Sequence, residues 1–190
     1  MGIDYKYYFE NGIGYTEYIE HMQYEVDNKI EKEYSEYLPL NLQRSKRLSK
    51  TIHLNEAIHL KLSELKTELK WLVISEHWCG DSSQILPIAD AVVHASNGKI
   101  DLRIVYRDQN LPLINAHLTN GGMAIPKLIV LDSNFQFMKE WGPRPKLAQD
   151  LVISLKANPE KAANYSEYLH KWYAEDKTIS TQMELAELFN

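Results

Sequence analysis

Apolar side chains recur at three- and four-residue steps early in the chain: Tyr15, Tyr18, Ile19, Met22, Val26, Ile30 and Tyr34. That spacing predicts one amphipathic helix over about 14–36, ended by Pro39. A second helix is expected over 41–50, with Asn41 as its cap. From residue 51 the pattern changes to alternating strands and helices. "TIHL" (51–54) reads as a weak strand, and Ile58, Leu62, Leu65 and Leu69 place a helix after it. "WLVIS" (71–75) is a continuous apolar run, as a strand covered on both faces should be. "SSQILPIADAVVHAS" is helical, with Pro87 as an internal kink. "KIDLRIVYR" (99–107) alternates and predicts a strand nearer the sheet edge. A short helix in "LPLINAHLTN" comes next, then a strand at 126–132 and a hairpin partner at 135–141. "KLAQDLVISLKAN" is again helical. The tail, 158–190, has a helical pattern, with capping-type starts at Asn164 and Ser180. Strands alternating with helices and closed by an antiparallel hairpin predict an α/β fold, a mixed sheet flanked by helices. Three segments follow: a helical extension (1–50), the α/β core (51–157) and a helical tail (158–190), expected to form one compact unit.

Composition narrows the function classes. The 190 residues fit one domain of ordinary size with appended elements, and 44% apolar residues are enough for a core. A formal net charge of −5 argues against a nucleic-acid surface, which would be basic. No run of apolar residues is long enough to span a membrane, and no signal-peptide pattern is visible, so a cytoplasmic location is the default expectation. Eight of the twelve tyrosines lie in the first 37 positions. Their face is read as a docking surface onto the main domain. Arg44, Lys46, Arg47 and Lys50 form a basic cluster, read as a solvated helix face in preference to an anion site.

The chain has a single cysteine, Cys79, in "EHWCGDSSQILP". One cysteine makes no internal disulfide, so the chain is not a disulfide-stapled domain. Cys79 follows a buried strand and opens a helix, where unpaired N–H groups and the helix dipole favour a thiolate. His77, two residues earlier, is a possible modulator, as an imidazolium beside the thiolate or as its base. The remaining histidines (21, 53, 59, 94, 117 and 170) show no ligand spacing, so neither a metal nor another cofactor is expected.

"HWCGDS" resembles the thioredoxin active-site segment, Trp-Cys-Gly-Pro-Cys. Pro87 matches the proline that kinks the thioredoxin active-site helix, and "AIPKLIVL" matches the strand entered through a cis-proline, here Pro126. The likeness covers about 51–156. The helices outside it, and "GPRP", resemble bacterial thioredoxin-family proteins with a helical N-terminal extension. The resemblance implies a groove lined by Trp78, Ile125, Pro126 and Gly142, with an extended partner segment pairing beside Pro126. It also implies an exchange partner, a protein or small-molecule thiol or disulfide. The departures are informative. Ser82 stands where the resolving cysteine would be, and a serine cannot break a mixed disulfide. Val73 stands where thioredoxin keeps a buried aspartate. Asp81 replaces the motif proline, and its charge opposes the thiolate. A structural place for Asp81 in the first helical turn and a catalytic role beside Cys79 are equally open. "GPRP" holds Arg144 between two prolines, close to where the resemblance puts the cysteine. Two roles are open for it: offsetting Asp81 near Cys79, or capping a strand or pairing with Glu140 in solvent. Cys-Gly-Asp-Ser is also similar to the Cys-Gly-Phe-Ser of monothiol glutaredoxins, but the lysine and glycine stretches that hold their cluster are missing. The leading expectation is a monothiol exchange protein in which Cys79 forms a mixed disulfide. The alternative is a non-catalytic binding module of thioredoxin fold.

Overall fold

A computed structural model describes residues 2–189. Four strands form one mixed sheet in the order β2–β1–β3–β4. They are β1 (Leu69–Ser75), β2 (Ile100–Tyr106), β3 (Lys127–Asp132) and β4 (Phe137–Trp141). β1 runs parallel to β2 and antiparallel to β3, and β4 closes the hairpin. β1 is central and buried on both faces, as its unbroken apolar run requires. β2 lies at one edge. Ile13 makes a two-bond bridge to Ile104, so a short piece of the N-terminal extension lines that edge.

Side chains alternate across a strand, and so one sheet feeds two cores. Trp71, Val73, Leu128 and Val130 point to one side. There they meet Tyr18 and Met22 of α2 (Tyr15–Asp27), Leu42 of α3 (Leu38–Thr51), Ile58 of α4 (Glu56–Glu64), Leu86 and Ile88 of α5 (Ser82–Ala95), and Leu185 of α9 (Ile179–Ala186). Leu72, Ile74, Ile129 and Leu131 point to the other side. Phe9 of α1 (Tyr5–Glu10) and Leu113 and Ile114 of α6 (Leu111–Asn115) cover them. Cys79 and Ile125 belong to this second core. Residues from both terminal segments therefore complete the core of the central unit. A smaller cluster joins α7 (Lys146–Ala157) to α8 (Tyr165–Asp176) through Ala148, Val152, Leu169 and Tyr173.

Several boundaries differ from expectation. The first long helix stops at Asp27. Asn28 Nδ2 donates back to the Tyr24 carbonyl, and Lys29 turns left-handed at φ 48°. Pro39 opens the next helix instead of ending the previous one, since its missing N–H is harmless in a first turn. Asn41 is not a cap but a buried residue inside α3. Its Nδ2 donates to the His77 carbonyl at 3.1 Å, tying that helix to the segment before Cys79. Residues 52–55 are not a strand; Ile52 and Leu54 simply pack onto the core. Asn55 is the side-chain cap of α4, accepting from the Ile58 N–H. Ser180 lies inside α9, where its N–H and hydroxyl donate to Asp176.

Candidate functional site

Strand β1 ends at Ser75, and the next six residues carry the chain to the start of α5. Cys79 sits in this turn with its thiol buried. Sγ donates to the Ile125 carbonyl at 3.3 Å and accepts from the Ser82 N–H at 3.5 Å. The Ile125–Pro126 bond is cis, and so is Gly142–Pro143. The helix N-terminus was expected to lower the thiol pKa. Burial wins instead: with the Asp81 charge adding to it, the pKa is pushed up to about 11, against the pull of the Ser82 hydroxyl and the Ser82 and Asp81 N–H groups.

Asp81 is 7% exposed, and residues far away in sequence hold it. Arg144 Nε and Nη2 both donate to its Oδ2, at 3.1 and 2.5 Å. The Tyr173 hydroxyl donates to Oδ1 at 2.7 Å, and Arg144 Nη1 reaches Gln149 Oε1 at 2.9 Å. Of the two places open to Arg144, the structure takes the one at Asp81. Glu140 pairs with His117 and Lys127 instead. Gly142, at φ 113°, lies against the Pro126 carbonyl.

Ser82 lies above a buried polar chain. Its Oγ accepts from Ser75 Oγ at 2.8 Å, and Ser75 in turn contacts the Tyr18 hydroxyl at 3.1 Å. This chain is linked to the thiol through the Ser82 N–H, while Val73 is plain core. His77 does not serve the sulfur. Its Nδ1 pairs with Glu25 at 2.9 Å and its Nε2 with the Tyr106 hydroxyl at 3.1 Å. Trp78 is half-buried, tilted against Tyr34 at 5.2 Å, with the Arg107 guanidinium 4.8 Å from its ring centre.

The tail supplies a cover that sequence reasoning missed. Helix α8 brings Tyr173 to Asp81 and sets His170 against Gly80, where a Cβ would lie 2.9 Å from His170 Nε2. Nothing local in "YLHKWY" signals this contact. Burial and the nearby Arg44 push the His170 pKa down to about 4, with Asp81 opposing. Arg44 is thus half-buried beside the site, while Lys46, Arg47 and Lys50 are solvated.

A depressed histidine pKa gives stability that is present above the ordinary value of about 6.5 and is lost as pH falls through about 4. Unfolding free energies of the wild type should therefore fall from pH 6.5 towards 4. The slope in the His170→Gln variant should be shallower by close to one proton, and equal slopes would show that His170 does not titrate in this setting.

A family model described as thioredoxin matches residues 16–162, and the chain belongs to that family. Among solved structures, the Pseudomonas aeruginosa protein PA1234, of unknown function, is similar at TM-score 0.72. Its identity is 18%, covering 98% of this chain and 97% of that one. An HIV epitope scaffold is similar at TM-score 0.66 and 18% identity, with the same coverage. No curated protein is significantly similar in sequence. The thioredoxin-like fold, with added helices at both ends, is shared with these structures.

Proposed function

We propose that this protein is a monothiol member of the thioredoxin family, with Cys79 as its exchange centre. In the conformation described, that centre is closed. The observation that supports this reading is the position of Sγ, at the start of α5 and within hydrogen-bond reach of the Ile125 carbonyl. Exchange would begin when the Cys79 thiolate attacks one sulfur of a partner disulfide. An S–S bond forms to Cys79, and the partner's other sulfur leaves as a thiolate. Ser82 cannot attack that bond, so an external thiolate must break it and regenerate Cys79. Trp78, Pro126 and Gly142 are proposed as groove residues, and Asp81 and Arg144 as a charge pair that sets the thiol's environment. No metal or other cofactor enters this scheme.

Magnitude separates the resting state from an active one. A thiol with a pKa of about 11 is ionised in about one molecule in ten thousand at pH 7. Native Cys79 should therefore react with 5,5′-dithiobis(2-nitrobenzoate) at least ~100-fold more slowly than the same thiol in guanidinium chloride. Tyr173→Phe, which loosens α8 from Asp81, should raise the native rate. The function itself is tested by glutathione-dependent turnover of hydroxyethyl disulfide, compared with Cys79→Ser. Equal turnover in the two proteins would refute the exchange reading. The thiol's burial and high pKa specifically favour the second reading, a binding module that keeps the fold without the chemistry.

A further inference from the structure

We propose that the crevice at the carboxyl ends of β1 and β2, walled by the N-terminal extension, binds a small organic ammonium ion with an apolar body. This site shares the Trp78 wall with the proposed groove but makes no use of the thiol. Glu76, His77 and Trp78 follow directly on β1, and Tyr106 ends β2. Crevices at the carboxyl ends of parallel strands are where α/β sheets take ligands. The part of the extension from α2 to the start of α3 closes the other side, leaving a cavity of about 380 Å³. That volume lies within the small-molecule range of about 300–1,000 Å³.

The chemistry of the lining selects the ligand. Tyr24, Trp78 and Tyr106 supply three aromatic rings, and Ile30 and Leu38 add aliphatic wall. Glu25, Glu33 and Glu76 supply three carboxylates against one ammonium, Lys32, which is already paired with Glu25. The nearby Arg107 is engaged by Asp108 and by the Trp78 ring. The lining thus carries an excess of negative charge, which disfavours an anion. Glu76 Oε1 accepts from the Asp108 N–H at 2.9 Å, while its Oε2 has no hydrogen-bond partner among the described residues. Burial, with the Asp108 and Glu25 charges, holds the Glu76 carboxyl above its usual pKa, against the pull of that N–H and of Arg107. An ammonium ion in the crevice would give the second oxygen a counter-charge. The Tyr24 and Tyr106 rings would add cation–π attraction, the interaction by which quaternary ammonium groups are recognised in aromatic cages, while Trp78, which already carries Arg107, adds apolar wall.

A bare metal ion does not fit the lining. Among the described residues, no three His, Cys, Asp or Glu side chains are grouped closely enough to hold one. The carboxylates are spread around a molecule-sized space instead. The floor is fixed before anything binds: His77 is 5% exposed and held by Glu25 on one nitrogen and Tyr106 on the other. A pre-set wall of this kind lowers the ordering cost of binding.

The test is calorimetric titration of the full chain with benzyltrimethylammonium, alongside benzenesulfonate and benzyl alcohol. Saturable binding is expected for the cation alone. Tyr24→Ala alters a ring that is 63% exposed and should leave the fold intact. Glu76→Gln keeps the acceptor for Asp108. Each variant should weaken the cation by about 5-fold or more, with an unchanged melting temperature. Cys79→Ser should bind like the wild type, which separates this site from the exchange reading. Absence of saturable binding by the cation, preference for the sulfonate, or full affinity in both variants would overturn the proposal.

Discussion

Arg144→Gln should cost about 3–5 kcal/mol of stability at pH 7, the range for breaking a buried ion pair from one side. The two side chains are only 14% and 8% exposed, so water can do little for the carboxylate left behind. Asp81 would keep the Tyr173 hydroxyl, while Gln149 would lose its guanidinium partner. The same change should raise the Cys79 pKa further, because the charge already opposing the thiolate loses its counter-ion. A double-mutant cycle with Asp81→Asn separates the pair from its setting. Asparagine alone removes the repulsion and should lower the thiol pKa. The double variant should recover most of the stability lost in Arg144→Gln, because no unpaired carboxylate remains. Urea unfolding and a thiol titration read the two effects. A stability loss under 1 kcal/mol would mean that the carboxylate is well solvated in the folded protein.

Gly142→Ala should be comparably damaging for a different reason. A Cβ there would lie 2.3 Å from the Pro126 carbonyl oxygen, a backbone atom that cannot rotate away. The φ of 113° adds strain for any L side chain. Together these should cost about 3–5 kcal/mol, well beyond the fraction of a kcal/mol that alanine recovers by stiffening the unfolded chain. Gly98→Ala is the control. Gly98 also has positive φ, at 85°, but nothing lies within 4 Å of its Cβ position, so it should show the strain alone, about 1–2 kcal/mol. Equal losses at the two positions would mean that the contact with Pro126 relaxes freely. Relief of the clash must also shift the segment whose Ile125 carbonyl accepts from the thiol, so the slow reaction of Cys79 should quicken.

What was legible in the sequence follows periodicity and punctuation. The apolar run of β1, the alternation of β2 and the hairpin of β3 and β4 all appeared where the pattern placed them, because each strand has a covered face to fill. Pro39 and Asn41 carry local signals with two solutions. A proline can end a helix or open one, and an asparagine can cap a helix or reach from its middle to another backbone. Arg144 has two candidate partners in the sequence, since its position beside Asp81 depends on how the hairpin returns. Tyr173 and His170 were invisible: no spacing in the tail records that α8 would lie against Gly80 and Asp81. The dipole argument for a reactive thiol failed on magnitude. Burial in the second core, with the Asp81 charge adding to it, outweighs a helix N-terminus.

The bridge between Ile13 and Ile104 makes the two edges of the sheet unequal. An open strand edge is a template on which another chain can add, and a sheet normally has two. Here the β2 edge is partly spoken for from within, by two backbone hydrogen bonds to a residue of the same chain. β4 forms the opposite edge, and its first two side chains, Phe137 and Met138, are 46% and 42% exposed. A strand contributed by another molecule would have to displace Ile13 before it could pair with Ile104 at the β2 edge. The added N-terminal segment thus guards part of that edge from within.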